Sequence, residues 1–254
     1  MHDGDSGQMK QGDTFTHSAA NVNHPVQVGH TVRRDTGTWT ETIHALLKFL
    51  RTHHFNYAPR VIGFDDKGRE ILEYINGKPG ARPWPKVLIG EEGIIEMAQV
   101  LRKYHDIASG FRPPIDAKWR FGDLSFTPGQ TILHGDLGPW NTIWSKKKLV
   151  GLIDWDFARP GDRIDDVAQL AYYFIPLRAS KGWKDAGFKQ PPDMANRLTL
   201  IVENYGMFTE SEVVHALLRI QSEERERIKT LGNKGVEPWA NFLRRGDIEE
   251  SLQD

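Results

Sequence analysis

The stretch Ile132-Leu-His-Gly-Asp-Leu-Gly-Pro-Trp-Asn-Thr-Ile-Trp144, followed by Leu149-Val-Gly-Leu-Ile-Asp-Trp-Asp-Phe-Ala-Arg-Pro-Gly-Asp-Arg-Ile-Asp-Asp-Val-Ala-Gln-Leu-Ala-Tyr-Tyr-Phe174, decides how the rest is read. His134-Gly135-Asp136 ends one apolar run, and Asn141 lies five residues beyond Asp136. Asp154 ends a second apolar run, with Asp156 two residues on. An acid at the end of a buried strand is held rigidly while its carboxylate points into a crevice. Asn141 and Asp154 supply hard oxygen donors for a cation such as magnesium, which accepts one or two carboxylates plus phosphate oxygens and waters. Asp156 reads equally as a third ligand and as a turn cap. Asp136 is then free to take a proton from a hydroxyl nucleophile.

Around this core the chain alternates strand-like and helical texture. Val26, Val28 and Val32 recur at even spacing, the period of a half-buried strand, with Gly29 allowing a turn or bulge. Ile43, Leu46, Leu47 and Leu50 follow at helical spacing behind Thr40, a candidate N-cap. Residues 60–75 read as a hairpin about Asp65–Gly68. Asn76–Pro85 is dense in Gly and Pro and marks a hinge near 73–80. Ile94, Ile95, Ala98, Leu101 and Tyr104–His105 then form one helical stripe. Three short apolar runs make a strand-rich insert. Further helices are expected near 165–178, 193–205, 210–231 and 237–252. Residues 1–24 form a polar segment, expected to be loose over its first dozen residues. Residues 25–76 form a small strand-rich lobe, and 77–254 a larger helical one.

Composition narrows the class. The 254 residues carry 33 basic and 34 acidic side chains, so no basic excess points to nucleic acid. No apolar run approaches the roughly 18 residues of a membrane span. The N-terminus lacks the basic and apolar regions of a secretory signal. With no cysteine there is no disulfide and no thiolate nucleophile, which fits a cytoplasmic protein. No HExxH spacing supports zinc, and no GxSxG supports a serine hydrolase.

The spacing of Asp136, Asn141 and Asp154 is the layout of phosphoryl transfer in the protein-kinase fold. It more closely resembles the aminoglycoside phosphotransferase and choline kinase-like family. His134, Asp136 and Asn141 match that family's HxDxxxxN pattern. Residues 153–168 resemble its IDWxxA…GDxxxDLA pattern, with Val167 where Leu is usual. Leu101 to His105 resembles its L-x-x-x-H helix. The resemblance is strong over 97–178 and weaker over 26–96 and 194–206.

That resemblance implies a two-lobed α+β fold that uses magnesium and ATP or GTP to phosphorylate a small-molecule hydroxyl. Asp136 is implied as catalytic base, His134 and Asp166 as supports of its loop, and Asn141 and Asp154 as magnesium ligands. The nucleotide is expected beneath the hinge at Glu73, Tyr74 and Ile75. Gly135 stands where protein kinases carry an Arg that reads activation-loop phosphate, which argues against a protein substrate.

The N-terminal lobe departs from the kinase pattern. Residues 1–40 contain no GxGxxG loop. The strand lysine is replaced by Arg33, with Arg34 the other candidate. Ile43 or His44 falls where the partnering Glu should stand. Two other functions therefore stay open: a non-catalytic nucleotide-binding scaffold, and a metal-dependent phosphoesterase that uses water.

Overall fold

The computed structural model describes residues 24–120, 124–177 and 179–252. The polar segment expected over 1–24 lies, except for His24, outside the described residues. The first strands are β1 (Val26–Val28) and β2 (Thr31–Arg34), paired antiparallel. The even-spaced valines are thus split by a Gly29–His30 turn, with Gly29 at φ +59°. The hairpin β3 (Val61–Phe64) and β4 (Glu70–Glu73) forms as read, and the sheet order is β1-β2-β4-β3. Helix α1 (Thr40–Thr52) buries Ile43, Leu46, Leu47 and Leu50, the expected stripe. Thr40 is its first helical residue and not its cap. Its hydroxyl accepts from the Gly37 N–H behind it at 2.9 Å and so bonds the preceding turn.

The hinge segment is more ordered than its Gly and Pro content suggests. Lys78–Pro79 forms a short strand, β5. Later in the chain come β6 (Thr131–Leu133), β7 (Thr142–Ser145), β8 (Lys148–Leu152) and β9 (Arg159–Gly161). Strand β5 adds to the β7–β8 hairpin, and β6 pairs with β9. Gly80 permits the first of these contacts, because a Cβ there would lie 2.2 Å from the Pro139 carbonyl oxygen.

Helix α2 (Lys86–Ile89) leads into α3 (Glu92–Ala108), which buries Ile94, Ala98, Leu101, Tyr104 and His105. Tyr104 donates its hydroxyl to the Ile132 carbonyl at 2.7 Å, so α3 backs β6 directly. Helices α4 (Arg163–Phe174), α6 (Met194–Tyr205) and α7 (Glu210–Asn233) match the expected spans closely. A capping box starts α7, with Thr209 and Glu212 bonded reciprocally. Helix α5 (Ala179–Ala186) was not anticipated, and the last expected helix is broken at Gly246 into α8 (Trp239–Arg245) and α9 (Asp247–Ser251). Among the described residues no helix is long and apolar enough to cross a membrane.

One buried cation ties the helical part together. Arg197 of α6 donates to the carbonyls of Phe174 (2.8 Å) and Leu88 (3.0 Å) and packs over the Phe188 ring. Burial pulls its guanidinium down to about 10. Arg197→Met strips the donors from those carbonyls, at a cost of roughly 1–3 kcal/mol for each acceptor left unpaired. The expected outcome is a clear fall in melting temperature, read by thermal shift.

Candidate active site

Asp136 sits in the loop after β6, and three contacts shape that loop. Asp166, near the start of α4 and 1% exposed, accepts from the backbone N–H of His134 at 2.7 Å and of Gly135 at 3.1 Å. His105 of α3 contacts the same carboxylate at 3.1 Å through Nε2. Gln169, one turn along α4, accepts from the Leu137 N–H at 2.6 Å and donates to the Gly135 carbonyl at 3.2 Å. Burial opposes charge on Asp166, but these hydrogen bonds, led by His105, hold its carboxyl below the usual range.

Gly135 is required where it stands. Its φ is +78°, and a Cβ would lie 2.2 Å from the Phe157 carbonyl oxygen. The position that carries an Arg in protein kinases therefore has no room here for any side chain. His134 is fully buried, its ring centroid 4.4 Å from that of Trp155. Burial depresses the imidazole to about 4, so it is neutral, and its Nδ1 accepts weakly from the Asp136 N–H at 3.4 Å. It is packed as a prop and not exposed as a proton carrier.

Asp136 is half-buried and faces the cleft. Burial pushes its carboxyl up to about 7, and the charge of Asp154 adds to this. Hydrogen bonds from Asn141 and Trp140 pull the other way. Asn141 Nδ2 donates to Asp136 Oδ2 at 2.7 Å and to its carbonyl at 2.9 Å. The Asn141 carbonyl in turn accepts from Ile153 N–H at 2.9 Å, which sets Asn141 beside the end of β8. Asp154 follows there in the left-handed region at φ +61°, a sparsely populated conformation that asparagine and aspartate tolerate best.

The cation opposite these acids is Arg34. Its Nε donates to Glu70 at 2.9 Å, Nη1 to Asp154 at 3.1 Å and Nη2 to Asp156 at 2.8 Å. Burial opposes its charge, but three carboxylates outweigh that and hold the guanidinium above its usual value. Arg33 points elsewhere. It approaches Asp65 at 3.8 Å and does not line the cleft, so the position expected for Arg33 is taken by Arg34. The reason is strand alternation, which turns neighbouring residues to opposite faces. His44 lies where the helix acid was sought, and its Nε2 contacts Glu70 at 2.8 Å. The acid that pairs with the strand cation is therefore Glu70 on the neighbouring strand.

Glu73, Tyr74 and Ile75 line one cleft of about 590 Å³ together with Arg34, Asp136, Asn141, Asp154 and Asp156. The three Trp residues near the motifs divide their roles. Trp144 and Trp155 are core, and Trp140 lines the cleft edge-on to Tyr173 at 4.7 Å. Glu223 and Glu224 of α7 line it as well.

Asn141 and Asp154 fit a magnesium ion. The Asn141 amide nitrogen is engaged by Asp136, which leaves its carbonyl oxygen for a metal, and Arg34 engages only Oδ1 of Asp154. Asp156 fits poorly as a third ligand, because Arg34 takes its Oδ1 and Arg120 takes its Oδ2 at 3.2 Å. Among the described residues no three His, Asp or Glu side chains gather as a metal cluster. A site with few protein ligands suits magnesium, which keeps its waters and binds phosphate oxygens.

Comparison with known proteins identifies the family and the fold. Residues 124–197 match the phosphotransferase enzyme family APH. Over 228 residues the chain is 31% identical to the trifolitoxin immunity protein of Rhizobium leguminosarum bv. trifolii, covering 84% of each. Among solved structures, the choline/ethanolamine kinase family protein from Mesorhizobium loti aligns with a TM-score of 0.62 at 14% identity, over 97% of this chain and 88% of that one. Amicoumacin kinase hAmiN, in complex with AMP-PNP, Ca2+ and Ami, aligns with a TM-score of 0.63 at 11% identity, over 97% and 89%. Its motifs, its two-lobed α+β fold and these likenesses make the chain a member of the aminoglycoside phosphotransferase and choline kinase-like family.

Proposed function

We propose that the protein transfers the γ-phosphate of ATP or GTP to a hydroxyl of a small molecule, in a magnesium-dependent reaction. The observation that carries this reading is the meeting of Asp136, Asn141 and Asp154 in one cleft beneath Glu73–Ile75. Residues 25–76 act as the N-terminal lobe and 77–254 as the catalytic lobe, with the nucleotide between them. Asp136 accepts the hydroxyl proton and orients the oxygen for in-line attack. Asn141 fixes the Asp136 carboxylate through its amide. Asn141 and Asp154 hold the magnesium ion, which neutralises phosphate oxygens when bound. Arg34 supplies fixed positive charge beside Asp154, and Trp140 and Tyr173 wall the acceptor end of the cleft. Charge placed in advance of the reaction supplies most of the acceleration in such sites.

The immunity conferred by the relative is consistent with such chemistry, since phosphorylating a hydroxyl can inactivate a toxin. The experiment is a library of hydroxyl compounds screened for nucleotide-consuming turnover. Asp154→Ala is expected to abolish the magnesium dependence of nucleotide affinity, read by calorimetry with and without magnesium. Unchanged dependence would remove Asp154 from the metal site.

The hold of Arg34 on Asp154 favours a second reading, a non-catalytic nucleotide-binding scaffold. Nucleotide binding with no phosphate transfer to any acceptor or to water would select it.

A further inference from the structure

The cleft contains a second buried arginine that the motifs do not mark. Arg120 comes from the loop after α3, far in sequence from both acid motifs. Its side chain is only 6% exposed, yet it lines the same cleft as Asp136 and Asp154. Its guanidinium lies between two aromatic rings, 4.5 Å from the Trp39 centroid and 4.8 Å from that of Phe157. A hydrogen bond from Nη1 to Asp156 Oδ2 at 3.2 Å anchors it there.

Arg34 and Arg120 share Asp156 but differ in charge balance. Arg34 is bonded to three carboxylates, and its fork is fully committed. Arg120 has one bonded carboxylate among the described residues, and two aromatic rings pack against it. Burial lowers the affinity of Arg120 for its proton, the opposite of the net effect at Arg34, and the nearby acids only partly offset that. A buried cation with too little counter-charge, open to a cleft, is an anion site with its geometry already set.

We propose that Arg120 is a catalytic residue, whose guanidinium meets the transferring γ-phosphoryl group and takes up negative charge as the bond to the leaving nucleotide breaks. The inference rests on the phosphotransferase reading above. The acceptor oxygen bonds to the γ-phosphorus, the bond from that phosphorus to the β–γ bridging oxygen breaks, and the acceptor proton passes to Asp136. The electron pair leaves with the nucleoside diphosphate. Asp156 is then a positioning residue that aligns two guanidinium groups, which explains why both of its oxygens are engaged. The pair stands in for the missing glycine-rich loop, with Arg34 beside the metal ligand and Arg120 beside the base.

The test uses water as acceptor, so no substrate need be known. Phosphate release from magnesium-ATP and magnesium-GTP is measured for the full chain and its variants, with ADP or GDP affinity and melting temperature alongside. Arg120→Gln is expected to lower kcat by roughly 10²–10³-fold with diphosphate affinity nearly unchanged. Arg120→Lys recovers little, because a point charge lacks the planar fork. Arg120→Ala opens the Trp39–Phe157 sandwich, and millimolar guanidinium restores part of its rate. Wild-type kcat in Arg120→Gln overturns the inference. So does a loss of rate matched by lost diphosphate affinity, or one that follows lost melting temperature without guanidinium rescue. If the wild-type protein turns over neither nucleotide, with water or with any hydroxyl compound, the phosphotransferase reading itself fails. An active wild type with an indifferent Arg120 refutes this inference alone.

Discussion

Asp136→Ala is expected to reduce phosphate transfer by roughly 10²–10⁴-fold, the usual contribution of a positioned proton acceptor. Nucleotide affinity should stay within a few-fold of wild type, because the role proposed for the carboxylate is toward the acceptor hydroxyl and not the base or ribose. Asp136→Asn is the sharper form. It keeps the shape and one oxygen but cannot take a proton, and its like charge with Asp154 is gone. Improved nucleotide binding alongside lost turnover would carry the signature of a removed base. Equal turnover by wild type and Asp136→Ala would take Asp136 out of the chemistry.

The second large effect is structural. Asp166→Ala leaves the His134 and Gly135 N–H groups and His105 Nε2 without their shared acceptor, in a place 1% exposed. Breaking a buried charged network on one side costs roughly 3–5 kcal/mol. For a chain of this size that is a fall of roughly 10 °C in melting temperature. Asp166→Asn keeps one acceptor and should fall between. The pH dependence has a definite sign. The Asp166 carboxyl lies below its usual value, so its stabilisation is complete above the unfolded pKa near about 4. It is lost as pH falls through the folded value. Denaturation midpoints followed from pH 6 downward, wild type against Asp166→Asn, should converge only in acid. Parallel curves would deny Asp166 this role.

Much of the candidate site was legible because it is local. His134, Asp136 and Asn141 lie within one turn-and-strand unit, and Asp154 ends the next strand, so spacing alone carries their geometry. The apolar stripes of α1 and α3 were legible for the same reason, since a helix repeats its pattern in a few residues. Contacts that cross the sheet were not. Arg34 finds its acid on β4, 36 residues away, and nothing in either segment names the other. The choice between Arg33 and Arg34 turned on a one-residue register, which flips every side chain to the opposite face. Gln169 and Arg120 had no motif to announce them; their roles come from what the fold brings near. Strand β5 was hidden because Gly and Pro signal a break, while here two glycines permit a close backbone approach to β7 and the turn before it.

The placement of Glu70 has a consequence for control. Where the counter-ion of the strand cation is carried by a helix, swinging that helix outward can dismantle the site. Here the counter-ion rides on the strand hydrogen-bonded beside Arg34, and α1 adds a buried hydrogen bond to it through His44 Nε2 at 2.8 Å. Moving the helix would remove the His44 bond but not the strand pairing that sets Arg34 beside Glu70. The pairing of cation and acid is thus written into the ladder between two strands and not into the approach of a helix.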